Sequence, residues 1–248
     1  MRLSRSSTEP SLTQIDELPR HDVRQLRADH FLYIGCAALL FGACALLCLG
    51  QASQQITAHE LAQRVDRHYD ELHSLKAQFS ESYAGLGVRR TESGTLLLRK
   101  PGRMIWQYSV PTGKIFLLDG KYAWLYTKGD AQVQRIPAKD LDDLRSPLRF
   151  LLGHTNLEKE MDSLTLAPAA NGLYALTGQP KGQENRVARL TLTVTADGTI
   201  TGIEVVESDG ATTRFIFSEE QQNAVIPDSA FHFSPPLGVP VVDSMPPV

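Results

Sequence analysis

The sequence predicts a mainly β domain built on a large antiparallel sheet, and three observations carry that reading. Beyond residue 73, apolar residues recur at alternate positions instead of at helical spacing. The runs are separated by tight-turn dipeptides: Pro101-Gly102, Asp119-Gly120, Asn171-Gly172, Asp197-Gly198 and Asp209-Gly210. No linker and no repeat of fixed period divides the stretch, so residues 53–248 read as one domain.

Residues 1–52 read as an N-terminal extension and signal peptide. Arg20, Arg24 and Arg27 precede an uncharged apolar run at 31–50, and Gly50 and Ala52 supply the small residues of a cleavage site after Ala52. The run is also long enough to span a bilayer, so an uncleaved anchor is the alternative. Either way the positive flank leaves the remainder outside. A start at Val23 or Leu26 would shorten the lead. Cys36, Cys44 and Cys48 all fall in this run, which excludes a disulfide framework or a cysteine metal site beyond it.

Thr57-Ala-His-Glu60 is a capping box, and Leu61, Val65, Tyr69 and Leu72 follow at helical spacing, so a helix is expected over 58–73. Strands are then expected at Leu75–Phe79, Gly94–Lys100, Met104–Val110, Lys114–Leu118, Tyr122–Tyr126 and Val133–Ile136. In 138–153, Leu141, Leu144, Leu148, Leu151 and Leu152 return to helical spacing, with Pro147 breaking the segment into two turns. Strands resume at Ser163–Leu166, Leu173–Thr177, Arg189–Thr195, Thr199–Glu207 and Thr212–Phe217, with a last one at Phe231–Phe233. About ten strands and two helical segments leave more sheet face than the helices can cover. The sheet can close into a barrel, stack as a sandwich, or keep a concave apolar surface for a greasy ligand.

Net charge is −3, which argues against nucleic acid as a partner. There is no GxSxG elbow, HExxH or P-loop, so no catalytic residue is assigned. The histidines beyond the leader, His59, His68, His73, His154 and His232, have no zinc-site spacing, and no metal or other cofactor is expected.

Five stretches, taken in order, carry a resemblance. They are Leu72–Phe79, Gly94-Thr-Leu-Leu-Leu-Arg-Lys-Pro101 with Trp106, Leu118-Asp-Gly-Lys-Tyr-Ala-Trp-Leu-Tyr126, Ser146–Leu152, and Phe231-His-Phe-Ser-Pro-Pro-Leu-Gly-Val239. Residues 56–243 resemble the periplasmic outer-membrane lipoprotein carriers, the LolA family. The resemblance implies a curved antiparallel sheet, an unclosed half barrel, with a helical lid over an apolar cavity that shelters lipoprotein acyl chains. It implies Leu96, Leu98, Met104, Trp106 and Tyr108 as cavity lining, and Leu148, Phe150 and Leu151 as lid. Lys100 stands where the family often has an arginine that clasps the lid. Lysine lacks the planar fork, so a looser clasp is expected.

The implied partners of a monomeric carrier are acylated lipoproteins, an inner-membrane ABC lipoprotein-releasing complex and an outer-membrane lipoprotein receptor. The implied location is the periplasm of a Gram-negative cell. Alternatives are a paralogue carrying another lipid, or a membrane-tethered lipoprotein receptor or sensor.

Overall fold

A computed structural model of the chain describes residues 56–141, 151 and 156–243. They open with helix α1 (Ala58–Glu71), and its start is the capping box read from sequence. The Glu60 amide donates to Thr57 Oγ1 at 3.2 Å, and the Thr57 amide donates to Glu60 Oε2 at 2.9 Å. Leu61, Ala62, Val65 and Tyr69 form its buried stripe, and the extended backbone of Leu72 ends it.

Six strands follow as a meander: β1 (Ser74–Gly85), β2 (Val88–Arg99), β3 (Arg103–Val110), β4 (Lys114–Asp119), β5 (Tyr122–Thr127) and β6 (Val133–Pro137). A 3-10 turn, Ala138–Leu141, leaves β6. After the short helix α2 (Leu157–Glu160) comes a second meander: β7 (Met161–Pro168), β8 (Tyr174–Pro180), β9 (Val187–Val194), β10 (Ile200–Glu207) and β11 (Thr212–Gln222). Antiparallel pairing of β1 with β11 joins the two meanders. With β12 (Val241–Asp243) they make one sheet in the order β12-β6-β5-β4-β3-β2-β1-β11-β10-β9-β8-β7.

The ends of this order, β12 and β7, do not pair with each other, so the sheet is unclosed. It is also curved. Ile136 on β6 and Leu176 on β8 belong to the same buried cluster as the stripe of α1. Laid flat, nine strand spacings of about 4.8 Å would separate them by about 43 Å, twice the roughly 21 Å length of α1. Alternation does the rest. Leu75, Ala77 and Phe79 on β1 oppose Leu98, Leu96 and Gly94 on β2, and all six point to the concave side.

Two glycines are required by close approach. A Cβ at Gly94 would lie 2.1 Å from the Gln107 carbonyl oxygen, where the β2–β3 register shifts. At Gly198, in the left-handed region at φ +98°, a Cβ would meet the Arg64 backbone, so the β9–β10 turn sits directly on α1. Arg64 fastens the same contact by donating to the Ala196 carbonyl at 2.7 Å.

Three expectations change. The second strand starts at Val88 instead of Gly94, because β1 and β2 pair continuously out to a tight turn at Leu86-Gly87. The polar run Arg89–Glu92 hid it. Phe231–Phe233 is not a strand: Asp228–Phe231 is a 3-10 turn, and the last strand is Val241–Asp243, parallel to β6. Against the roughly ten strands expected, the described residues hold twelve. The leader at 31–50 and the Pro147 break lie outside those residues.

Candidate functional site

Leu96 and Leu98 on β2 and Met104, Trp106 and Tyr108 on β3 share the concave face with the stripe of α1. Leu96 and Leu98 are 0% exposed, Trp106 1% and Met104 2%, while Tyr108 is partly buried against the same cluster. Aromatic rings from β1, β3 and β11 converge there. Trp106 meets Phe79 edge-on at 4.6 Å and Phe215 at 5.5 Å, and Tyr108 meets Phe79 at 5.0 Å. The Trp106 indole N–H points at the Met104 sulfur, 2.8 Å away. These groups and the stripe of α1 form one continuous apolar cluster.

Besides the Arg64 contact, polar ties at Tyr69, Lys100 and Asp66 hold α1 over this face. The Ile200 amide donates to the Tyr69 hydroxyl at 3.1 Å, and burial pushes that phenol's pKa far above its usual value. Lys100, just after β2, donates through Nζ to the Tyr69 carbonyl and, at 3.2 Å, to the Asp70 carbonyl. These belong to the last turn of α1, whose free carbonyls and dipole favour a cation. Partial burial lowers the Lys100 pKa, with Asp70 opposing the shift.

A third tie joins α1 to α2. Both Asp66 carboxylate oxygens lie 3.2 Å from the Leu157 amide, which donates to them, and His59 Nδ1 lies 2.6 Å from Glu158 Oε1. Burial pushes Asp66 up to about 6; the Leu157 N–H works against that, and Asp70, Glu160 and Glu158 add to it. Leu151 is buried in the same cluster as the α1 stripe. Leu148 and Phe150 lie outside the described residues.

Two of the five resemblance stretches, Leu118–Tyr126 and Phe231–Val239, also place side chains on the opposite, convex face. Asp119 accepts from the Lys121 and Tyr122 amides, both at 2.7 Å, and from the Trp124 indole at 2.8 Å. Although partial burial works against it, these donors hold the Asp119 pKa below the usual carboxylate range. Phe233 packs on Trp124 at 5.8 Å and on Tyr126 at 6.0 Å. Arg99, which sequence reasoning did not single out, ties down the incoming segment. It donates to the Ile226 carbonyl at 2.8 Å, pairs with Asp228, and sits over the Phe231 ring at 5.4 Å. Between this segment and β3–β5 lies a groove of about 600 Å³, with Ile105, Ile115, Leu117 and Phe233 among its walls.

Also missed were Glu81 and Glu92, directly opposite each other on β1 and β2. Their position in the alternation was the available signal, since both fall on the inward register of Phe79 and Gly94.

The chain is similar to proteins of known name. The outer-membrane lipoprotein carrier protein of Chromobacterium violaceum is 32% identical over 169 residues, covering 68% of this chain and 81% of that protein. That of Cupriavidus pinatubonensis is 26% identical over 211 residues, covering 82% and 97%. A solved LolA superfamily protein from Nitrosomonas europaea is 12% identical with a TM-score of 0.40, covering 72% of this chain and 99% of that one. A family model described as "Outer membrane lipoprotein carrier protein LolA" matches residues 70–234. With a family match across most of its length, the chain belongs to the LolA family of outer-membrane lipoprotein carriers.

Proposed function

We propose that the protein is a periplasmic carrier that takes the acyl chains of lipoproteins against its concave face and carries them from the inner to the outer membrane. The observation that supports this reading is the continuous apolar face of Leu96, Leu98, Met104, Trp106 and Tyr108, covered by a helix held through a few polar ties. Leu151 belongs to the cover, and Leu148 and Phe150 are assigned to it by the family resemblance.

The energetics suit a carrier. Each buried methylene is worth about 0.8 kcal/mol, so ten methylenes gain about 8 kcal/mol. Displacing Leu61, Val65, Tyr69 and Leu72 from the sheet returns about 2 kcal/mol per side chain to water, a comparable total. An acyl chain that replaces the helix stripe is therefore held with a small net free energy. It can be handed on. Lys100 acts as the clasp, holding the end of α1 to the sheet in the unloaded state. Cargo arrives from an inner-membrane ABC lipoprotein-releasing complex and leaves to an outer-membrane receptor. No catalytic step and no cofactor are involved.

The test is the intact mass of the protein from a periplasmic extract, with lipid extraction of the same sample. A soluble species lacking residues 1–52 and co-purifying with acylated protein is expected. Free lipid without lipoprotein would instead mark a carrier of another lipid. A membrane-retained species containing residues 31–50 would mark a tethered receptor or sensor.

A further inference from the structure

The apolar row of the concave face ends in charge. On β2 the inward positions run Leu98, Leu96, Gly94, Glu92, and on β1 they run Leu75, Ala77, Phe79, Glu81. Glu81 and Glu92 are cross-strand partners, 7% and 8% exposed. Two carboxylates directly opposite each other repel, and burial makes the repulsion worse. Burial and the Glu92 charge raise the Glu81 pKa, with Lys114, Tyr108 and Arg90 opposing.

Three groups surround the pair. Lys114 pairs with Glu92 and lies 4.3 Å over the Tyr108 ring. The Tyr108 hydroxyl donates to Glu81 at 3.2 Å. Arg90 lies 3.8 Å from both carboxylates, too far for a hydrogen bond, and 4.8 Å over the Tyr83 ring. Its half-exposed guanidinium thus has N–H donors turned to no hydrogen-bond acceptor among the described residues. Formal charge in the cluster sums to zero.

We infer that this cluster is a polar collar that binds the uncharged ester and amide junction between the acyl chains and the polypeptide of a lipoprotein. The inference rests on the proposed carrier function and adds to it a second, polar subsite. Acyl chains lying along the apolar row would bring their carbonyl end to Glu81 and Glu92, one step past Phe79 and Tyr108. Ester and amide carbonyls accept hydrogen bonds, which Arg90 and Lys114 supply. Peptide N–H groups donate, which the two carboxylates accept. A phospholipid reaching the same place would put its phosphate against two buried carboxylates, and that like-charge repulsion offsets any hydrogen bond the phosphate takes from Arg90. The collar thereby favours acylated protein over anionic phospholipid.

The test uses the chain lacking its leader and three probes: N-phenyl-1-naphthylamine as a purely apolar ligand, a diacylglyceryl-cysteinyl peptide, and phosphatidylglycerol as competitor. Arg90→Gln is expected to reduce the ratio of lipopeptide affinity to apolar-probe affinity about ten-fold, the low end for one hydrogen bond to a charged group. Glu81→Gln combined with Glu92→Gln is expected to improve competition by phosphatidylglycerol. An unchanged ratio in Arg90→Gln, with no change of competitor preference in the double variant, overturns the collar. If the parent protein takes up neither the apolar probe nor the lipopeptide, the carrier reading itself fails, and the collar with it.

Discussion

Single residues on the concave face have two roles that mutations must separate. Trp106 and Leu98 line the proposed cargo surface and are also core in the covered state, at 1% and 0% exposure. Leu98→Asp would bury an unpaired carboxylate and threaten the fold. Trp106→Phe keeps an aromatic ring and removes only part of the surface. It is expected to weaken acyl-probe binding several-fold with a stability loss of about 1–2 kcal/mol, read by probe titration and urea unfolding. Equal affinity in variant and parent would remove Trp106 from the cargo surface. Asp66 gives a residue-scale prediction in pH. Its native pKa of about 6 lies above the ordinary carboxylate value, so the folded protein binds this proton more tightly than the unfolded chain. Asp66 therefore contributes a stability that is present at low pH and is lost as pH rises through 6. Asp66→Asn keeps an acceptor for the Leu157 amide and carries no charge. It is expected to flatten the fall in stability between about pH 4 and 6 and to be the more stable protein at pH 7, by about 1 kcal/mol after screening of a half-exposed group. Parallel pH–stability curves for the two proteins would refute this.

At the scale of elements, α1 is the part the sequence announces most clearly and the part proposed to move. Its capping box and its Leu61–Val65–Tyr69 stripe were legible because both are local patterns. Its anchoring was not, because the Ile200 amide and the Arg64 contact with the β9–β10 turn join residues more than a hundred positions apart. The outer half of β2 was hidden for a different reason. Residues 88–91 are exposed, so no burial imposes alternation on them, and only pairing with β1 makes them a strand. The Lys100 and Tyr69 ties can be tested together. Lys100→Leu removes two donations to the end of α1 and is expected to speed acyl-probe uptake several-fold, while Lys100→Arg, which keeps donors and adds the planar fork, is expected to slow it below the parental rate. In hydrogen exchange, cargo that displaces α1 is expected to expose the Ile200 amide, bonded to Tyr69, while ladder amides in the middle of β1 stay protected. Uptake at one rate in all three proteins, or an Ile200 amide indifferent to cargo, would mean that α1 stays in place.

For the whole molecule, the sheet divides its labour between faces. Two of the five stretches that carried the resemblance, around Asp119–Trp124 and Phe231–Phe233, lie in a turn and a terminal segment on the convex side. They were legible because turn chemistry and segment docking demand particular residue types. The concave lining was legible as alternation and through the stretch Gly94–Pro101 with Trp106; the rest of it carries little signal, since an apolar face tolerates many side chains that fill the same volume. Glu81 and Glu92 escaped notice because polar residues near a strand end usually mean solvent, and only the register turns them inward. The division predicts a dissociation of effects. Phe231 is buried beneath Arg99 in the convex clamp, and Phe231→Ala is expected to cost about 3 kcal/mol of stability through the cavity it leaves. Because the clamp lies across the sheet from Trp106 and Leu98, acyl-probe affinity per folded molecule should match the parent. Thermal unfolding and probe titration on the same sample decide it. An affinity that falls together with stability would show that the convex clamp sets the curvature of the sheet, and that the two faces act as one device.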